Sequence, residues 1–180
     1  LVLIALFAYA SLPLYAASLN DLTYTTTDGK VTITDCNKAA AGDLVIPETI
    51  RGNPVTSIGE LAFGECYNLT KITIPNGVVS IGEEAFIFCV SLRSIKIPDS
   101  VTSIGADAGP SEDEGTFYNC TSLTTITIPD NVTSIDDHAF YGCMDLENIT
   151  IPAAVSSIGN SVFQGCAELT NVVMEGPPPS

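Results

Sequence analysis

Leu69-Thr70-Lys71-Ile72-Thr73-Ile74-Pro75, followed by Val78, Ser80-Ile81-Gly82, Ala85-Phe86 and Cys89, is one period of a pattern that restarts at Leu92, Ile95, Ile97 and Pro98. The same frame returns at Leu123–Pro129, Leu146–Pro152 and Leu169–Met174. Phenylalanines keep step at Phe63, Phe86, Phe117, Phe140 and Phe163. Cysteines do so at Cys66, Cys89, Cys120, Cys143 and Cys166, with three gaps of 23 residues and one of 31. A unit in the twenties is too small to bury its apolar side alone, so successive units must stack into a repeat solenoid.

The halves of one unit differ. Ile72 and Ile74 alternate with Lys71 and Thr73, as in a short strand with one buried face. Pro75 lacks an N–H and ends the pairing, as Pro47, Pro98, Pro129 and Pro152 do in the other coils. Val78 and Ile81 turn back inward. The glycines at Gly59, Gly82, Gly105 and Gly159, with Asp136 in the same slot, are expected at a left-handed turn, which both residue types tolerate. Ala85 and Phe86 are expected in a short helical or irregular segment that Cys89 closes.

The chain has 180 residues, 46% of them apolar and 15% charged, which excludes a disordered tail and is long enough for one shared core. The net charge of −15 is uneven. Nine carboxylates and all six basic residues precede residue 97, while twelve carboxylates and no base follow. Nucleic acid and anionic membrane surfaces are therefore poor partners.

Leu1–Tyr9 is apolar, with the small residues Ala8, Ala10, Ala16 and Ala17 at its end and after it, so residues 1–17 read as a truncated secretory leader. A buried strand or a short membrane anchor is the alternative, and the run is too short to span a bilayer comfortably. Residues 18–42 hold alternating threonines, with Tyr24, Val31 and Ile33 flanking Asp28-Gly29. That is the pattern of a hairpin, placed to cap the first coil. Asn37–Gly42 reads as a small-residue link, and Glu48–Pro54 as a turn five residues longer than its counterparts. Five coils are expected over residues 43–176, with residues 177–180 a proline-rich end or linker. The 31-residue gap comes from Ala106–Gly115, expected as a solvated excursion; its Asp107, Glu112, Asp113 and Glu114 offer oxygen ligands for Ca²⁺, but at the spacing of no known calcium loop.

The motifs Leu69-x-x-Ile72-x-Ile74-Pro75, Val78-x-Ser80-Ile81-Gly82 and Ala85-Phe86-x-x-Cys89 resemble those of the BspA-type leucine-rich-repeat family. A general leucine-rich repeat has a polar Asn or Cys soon after the strand, where this chain has Gly77. The resemblance implies a right-handed coil with a parallel sheet on its concave side and short helical or irregular segments on the convex side. It also implies a secreted or cell-surface location and adhesion or protein binding, with no family catalytic residue to carry over.

Candidate sites follow from the repeat. Outward strand positions form two rows, Lys71, Ser94, Thr125, Asn148 and Asn171 in one, and Thr73, Lys96, Thr127, Thr150 and Val173 in the other. Lys71, Thr73, Ser94, Lys96, Thr125, Thr127, Asn148 and Thr150 are the candidate binding residues. Threonine is also an ordinary solvent-facing strand residue, and the rows lack aromatic and arginine anchors. Val173, apolar and facing out where other coils carry Thr or Lys, is read as a hint of more protein beyond residue 180. The repeated cysteines stack at about 4.8 Å, where parallel side chains seldom reach the disulfide dihedral, so free buried thiols are expected ahead of disulfides, with metal a remote third. His138, beside Asp136 and Asp137, lacks partners at a catalytic or ligating spacing and reads as a surface residue. Tyr118 and Tyr141 share a slot and can form a small aromatic patch. The sequons at Asn68, Asn119, Asn131 and Asn148 place core positions in their middle, which argues against glycosylation. No phosphate loop or nucleophile elbow is present, so no cofactor and no catalysis are expected. The sequence thus describes a secreted or surface module that binds a protein or other macromolecule without inserting in a membrane, or alternatively a structural spacer within a larger surface protein or beside an enzyme domain.

Overall fold

Each unit's run of β-branched residues makes a short strand, and each proline then starts a turn. In the computed structural model, which describes residues 15–105 and 115–176, this alternation builds β1 (Tyr15–Ala16), β2 (Leu22–Thr27), β3 (Lys30–Cys36), β4 (Ala40–Val45), β5 (Thr49–Ile50) and β6 (Asn53–Ile58). There follow β7 (Leu69–Thr73), β8 (Ser80–Ile81), β9 (Ser94–Lys96), β10 (Ser103–Ile104), β11 (Thr125–Thr127), β12 (Ser134–Ile135), β13 (Asn148–Ile151), β14 (Ser157–Ile158) and β15 (Asn171–Met174). Residues 1–14 of the leader-like stretch, residues 106–114 of the acidic excursion (all of it but Gly115) and the proline-rich end 177–180 lie outside the described residues.

One sheet runs β1-β4-β7-β9-β11-β13-β15 with every pairing parallel. Lys71 pairs with Ser94, Ser94 with Thr125, and Thr125 with Asn148, so equal repeat positions stand side by side. The molecule is a β-solenoid of parallel coils, as the period predicts. A second sheet, not foreseen, runs β10-β8-β6-β3-β2, and β12 pairs with β14 beside it. Its strands β6, β8 and β10 carry the repeated Ser-Ile pairs, and the Ser80 hydroxyl donates to the Ser57 hydroxyl at 3.2 Å between two of them.

The expected hairpin forms between β2 and β3 around Asp28 (φ 51°) and Gly29 (φ 71°), the paired left-handed turn that matches strand twist. It also enters the array, because β3 pairs in parallel with β6. A second tight hairpin, β5–β6, turns at Arg51-Gly52 within the long Glu48–Pro54 connection. Asn37–Gly42 is only partly a link: β4 begins at Ala40, and Ala17 donates to the Ala41 carbonyl at 2.9 Å from the edge strand beside it.

Pro75, Pro98, Pro129 and Pro152 each accept a hydrogen bond from the valine three residues on, at 3.0–3.1 Å, so proline opens a turn as it closes a strand. The Phe-x-x-Cys corners are not helical. Cys89 donates to the Phe86 carbonyl at 3.2 Å and Leu92 to the Cys89 carbonyl at 3.0 Å, making two successive turns. Among the described residues the one helical element is a short 3₁₀ turn, Leu19–Asp21, capped by Ser18. The corners are cross-linked along the axis, with Phe63 donating to Ala85, Phe86 to Thr116, Phe117 to Ala139 and Phe140 to Val162 at 2.8–3.1 Å.

The left-handed residues lie elsewhere than expected. Gly59, Gly82, Gly159 and Asp136 do not adopt positive φ, and of that slot only Gly105 does, at 75°. At Gly82 the constraint is instead the preceding coil: a Cβ there would lie 2.6 Å from the Glu60 nitrogen and 2.8 Å from the Gly59 carbonyl carbon. The left-handed corners fall two positions later, at Leu61, Glu84, His138 and Ser161, and again at Glu65, Phe88, Asn119, Gly142 and Gly165.

Inside, Phe63, Phe86, Phe117, Phe140 and Phe163 form one column of near-parallel rings with centroids 5.2–5.9 Å apart. The cysteines are free, and each repeat thiol is held by the coil before it. Cys89 donates to Phe63, Cys120 to Phe86, Cys143 to Phe117 and Cys166 to Phe140, all at 3.1–3.3 Å. Cys36, Cys66, Cys89, Cys120 and Cys143 are buried, whereas Cys166, in the last corner, is only half-buried. Burial pushes the Cys120 and Cys143 thiols up, which disfavours the reactive thiolate. Denatured, unreduced protein should therefore titrate six thiols, and native protein should react first at Cys166. Recovery of two or fewer thiols would mean disulfides.

Candidate binding face

The open face of the seven-stranded sheet carries the candidate residues. Ile72, Ile95, Ile126 and Ile149 point into the core, between 0% and 7% exposed, so their neighbours along each strand point out. Lys71, Lys96, Thr125, Thr127, Asn148 and Thr150 are exposed, and Thr73 and Ser94 are half-buried. The register aligns Lys71, Ser94, Thr125 and Asn148 in one row, and Thr73, Lys96 and Thr127 in the other. The two lysines are thus diagonal neighbours, one strand and two residues apart.

The register also extends both rows to residues the sequence reading missed. Asp43 stands beside Lys71 and Val45 beside Thr73 on β4. Asp43 accepts a hydrogen bond from Thr70 at 3.0 Å, and Val45 is 65% exposed. Both lie on β4, the strand before the first full period, and only the pairing shows that they head the rows. At the far end Asn171 pairs with Asn148, and Val173, paired with Thr150, is exposed.

The other candidates lie away from this face. Tyr118 and Tyr141 stack at 4.8 Å with ring planes 5° apart, and Phe88 meets Tyr118 edge-on at 5.8 Å, so the aromatic patch exists on the corners. His138 is half-buried rather than a surface residue: its ring lies 5.8 Å from Tyr141, and its Nδ1 is enclosed without a hydrogen-bond partner. Its left-handed backbone (φ 54°) follows the corner geometry, and the next coil covers it, with His138 N–H donating to Asn160 at 2.9 Å. Nearby, burial and then the Glu83 and Asp137 carboxylates push the Asp136 carboxyl up to about 6. Asp137 is held below the usual carboxylate range by the Asn160 backbone N–H (2.6 Å) and side-chain amide (3.1 Å). Among the described residues no three His, Cys, Asp or Glu side chains are grouped to hold a metal, and no helix is long and apolar enough to cross a membrane. The acidic excursion's carboxylates lie outside those residues.

The profile of the BspA type leucine rich repeat region matches residues 42–108 and 113–177 in six copies. That is one more than the five coils read from the Phe and Cys beat. No curated protein sequence matches. A leucine rich repeat protein of T. pallidum is similar in structure, with TM-score 0.75 and 29% identity over 88% of this chain and 71% of that one. A leucine rich cell surface protein of Faecalibacterium prausnitzii gives TM-score 0.77 and 31% identity over 88% of this chain. A leucine-rich repeat protein of Bacteroides ovatus gives 0.72 and 35% over 89%. The matched region spans 39% and 43% of the latter two chains. With its Leu-x-x-Ile strands, stacked Phe-x-x-Cys corners and six matching copies, the chain belongs to the BspA-type leucine-rich-repeat family.

Proposed function

We propose that this chain is a binding module, displayed outside the cell or on its surface, that recognises a protein or other macromolecule across the open face of the seven-stranded sheet. The observation that carries the reading is the pair of registered, outward rows, which set polar side chains side by side across successive strands. Repeat proteins use extended surfaces of this kind for partners. Lys71 and Lys96 place positive charge on a protein of net charge −15, so an elongated partner with acidic groups is steered to this end of the face. Thr125, Thr127, Asn148 and Thr150 add hydrogen bonds without aromatic anchors, which corresponds to about micromolar affinity strengthened by display in many copies. A surface location is supported by the F. prausnitzii neighbour, which is a cell surface protein.

The test is capture of proteins from a surface-protein extract by the immobilised chain and by Lys71→Glu with Lys96→Glu. Captured partners should be lost while the melting temperature stays within about 2 °C, because both side chains are exposed strand positions. Undiminished capture by the double variant rules out the face. A second reading, a spacer within a longer protein, is favoured by the short share of the neighbours' chains that the match spans. It requires that neither variant nor parent captures a partner.

A further inference from the structure

We infer that the corner side of the first coils holds a second binding site, a pocket for a basic side chain flanked by an apolar residue in an extended polypeptide partner. A pocket of about 560 Å³ opens where the Phe63–Cys66 corner meets the N-terminal hairpin. It is lined by Leu61, Gly64, Ile87 and Phe88 with Asp35, Glu65 and Glu84 around them. That volume lies within the range of ligand sites, and a mainly apolar lining with a few charged groups is their usual composition.

The repeat explains why the pocket is here and not at every corner. The slot of Gly64 carries Ile87, Tyr118, Tyr141 and Gln164 in the following coils. Tyr118 and Tyr141 fill their own space by stacking. Gly64 contributes no side chain, and a Cβ there would come within 3.1 Å of the Ile87 methyl and 3.3 Å of the Leu61 methyl, so these two side chains close over its backbone and form the apolar floor of the pocket. Leu61 is 45% exposed, an apolar surface available to an occupant. Glu65 (φ 59°) and Phe88 (φ 55°) keep the left-handed corner conformation that Asn119, Gly142 and Gly165 occupy farther on with less steric conflict.

Charge selects the occupant. Asp35 is engaged with Lys38 at 2.8 Å, an ion pair that cancels the one cation of the lining. Three carboxylates, Asp35, Glu65 and Glu84, against the one Lys38 cation make the lining net acidic, which suits an arginine or lysine head, while the floor suits its aliphatic stem and an apolar neighbour. The site lies apart from Lys71 and Lys96, whose charge would repel the same ligand.

Amide NMR titration of the full chain with acetyl-Leu-Arg-Leu-amide, up to about 5 mM, tests the assignment. Saturating shifts are expected at Leu61, Glu65, Glu84 and Phe88, with none from acetyl-Leu-Glu-Leu-amide. Glu65→Gln with Glu84→Gln should weaken binding about tenfold, whereas Lys71→Glu with Lys96→Glu should leave it intact. Gly64→Gln, the residue of the last coil's slot, should fill the pocket and abolish the shifts. The absence of saturable shifts, equal response to the glutamate peptide, or unchanged affinity in the Glu65/Glu84 variant would each overturn the site.

Discussion

Phe86→Ala should lower the unfolding free energy by about 3–5 kcal/mol, the range for truncating a fully buried phenylalanine. Phe86 is 0% exposed and lies between Phe63 and Phe117 with centroids 5.2 Å away on each side. The gap left by its ring cannot close by moving the coils together. Their spacing is set independently by the Phe86 N–H bond to Thr116, by the Cys120 thiol on the Phe86 carbonyl and by the parallel strands beside them. Phe163→Ala, at the end of the column with one ring neighbour and a half-buried side chain, should cost distinctly less. Urea titration of both variants checks the order through their midpoints at constant slope. Equal losses would show that the column does not act as a stack of interfaces.

Gly82→Ala is the second large effect, expected near 3 kcal/mol although it adds one methyl group. The new Cβ would sit 2.6 Å from the Glu60 nitrogen, and backbone cannot rotate out of the way as a side chain can. The coils would have to part, weakening the Ser80–Ser57 contact and the β6–β8 pairing beside it. Gly52→Ala gives the contrast. Nothing lies within 4 Å of its Cβ, but φ is 81°, so about 1–2 kcal/mol of backbone strain is expected there. Thermal or urea unfolding should rank Gly82→Ala as the more harmful. The reverse order would mean that conformation, not the neighbouring coil, dictates the glycine.

The same two residues separate what is readable along the chain from what is not. The period, the inward set of Leu69, Ile72, Ile81, Phe86 and Cys89, the parallel pairing in order and the Asp28-Gly29 hairpin were all legible in the sequence. Side-chain alternation, the missing N–H of proline and turn preference are properties of the local chain, and a repeated pattern obliges equivalent residues to stack. Asp43 and Val45 heading the rows, the second sheet, the half-buried His138 and the pocket beside Gly64 were decided only by the tertiary structure. Each depends on what the neighbouring coil places within a few ångströms. Gly82 shows the reason most plainly: its sequence suggests a turn residue, but the physical constraint on it is the backbone of Gly59 and Glu60, one coil away.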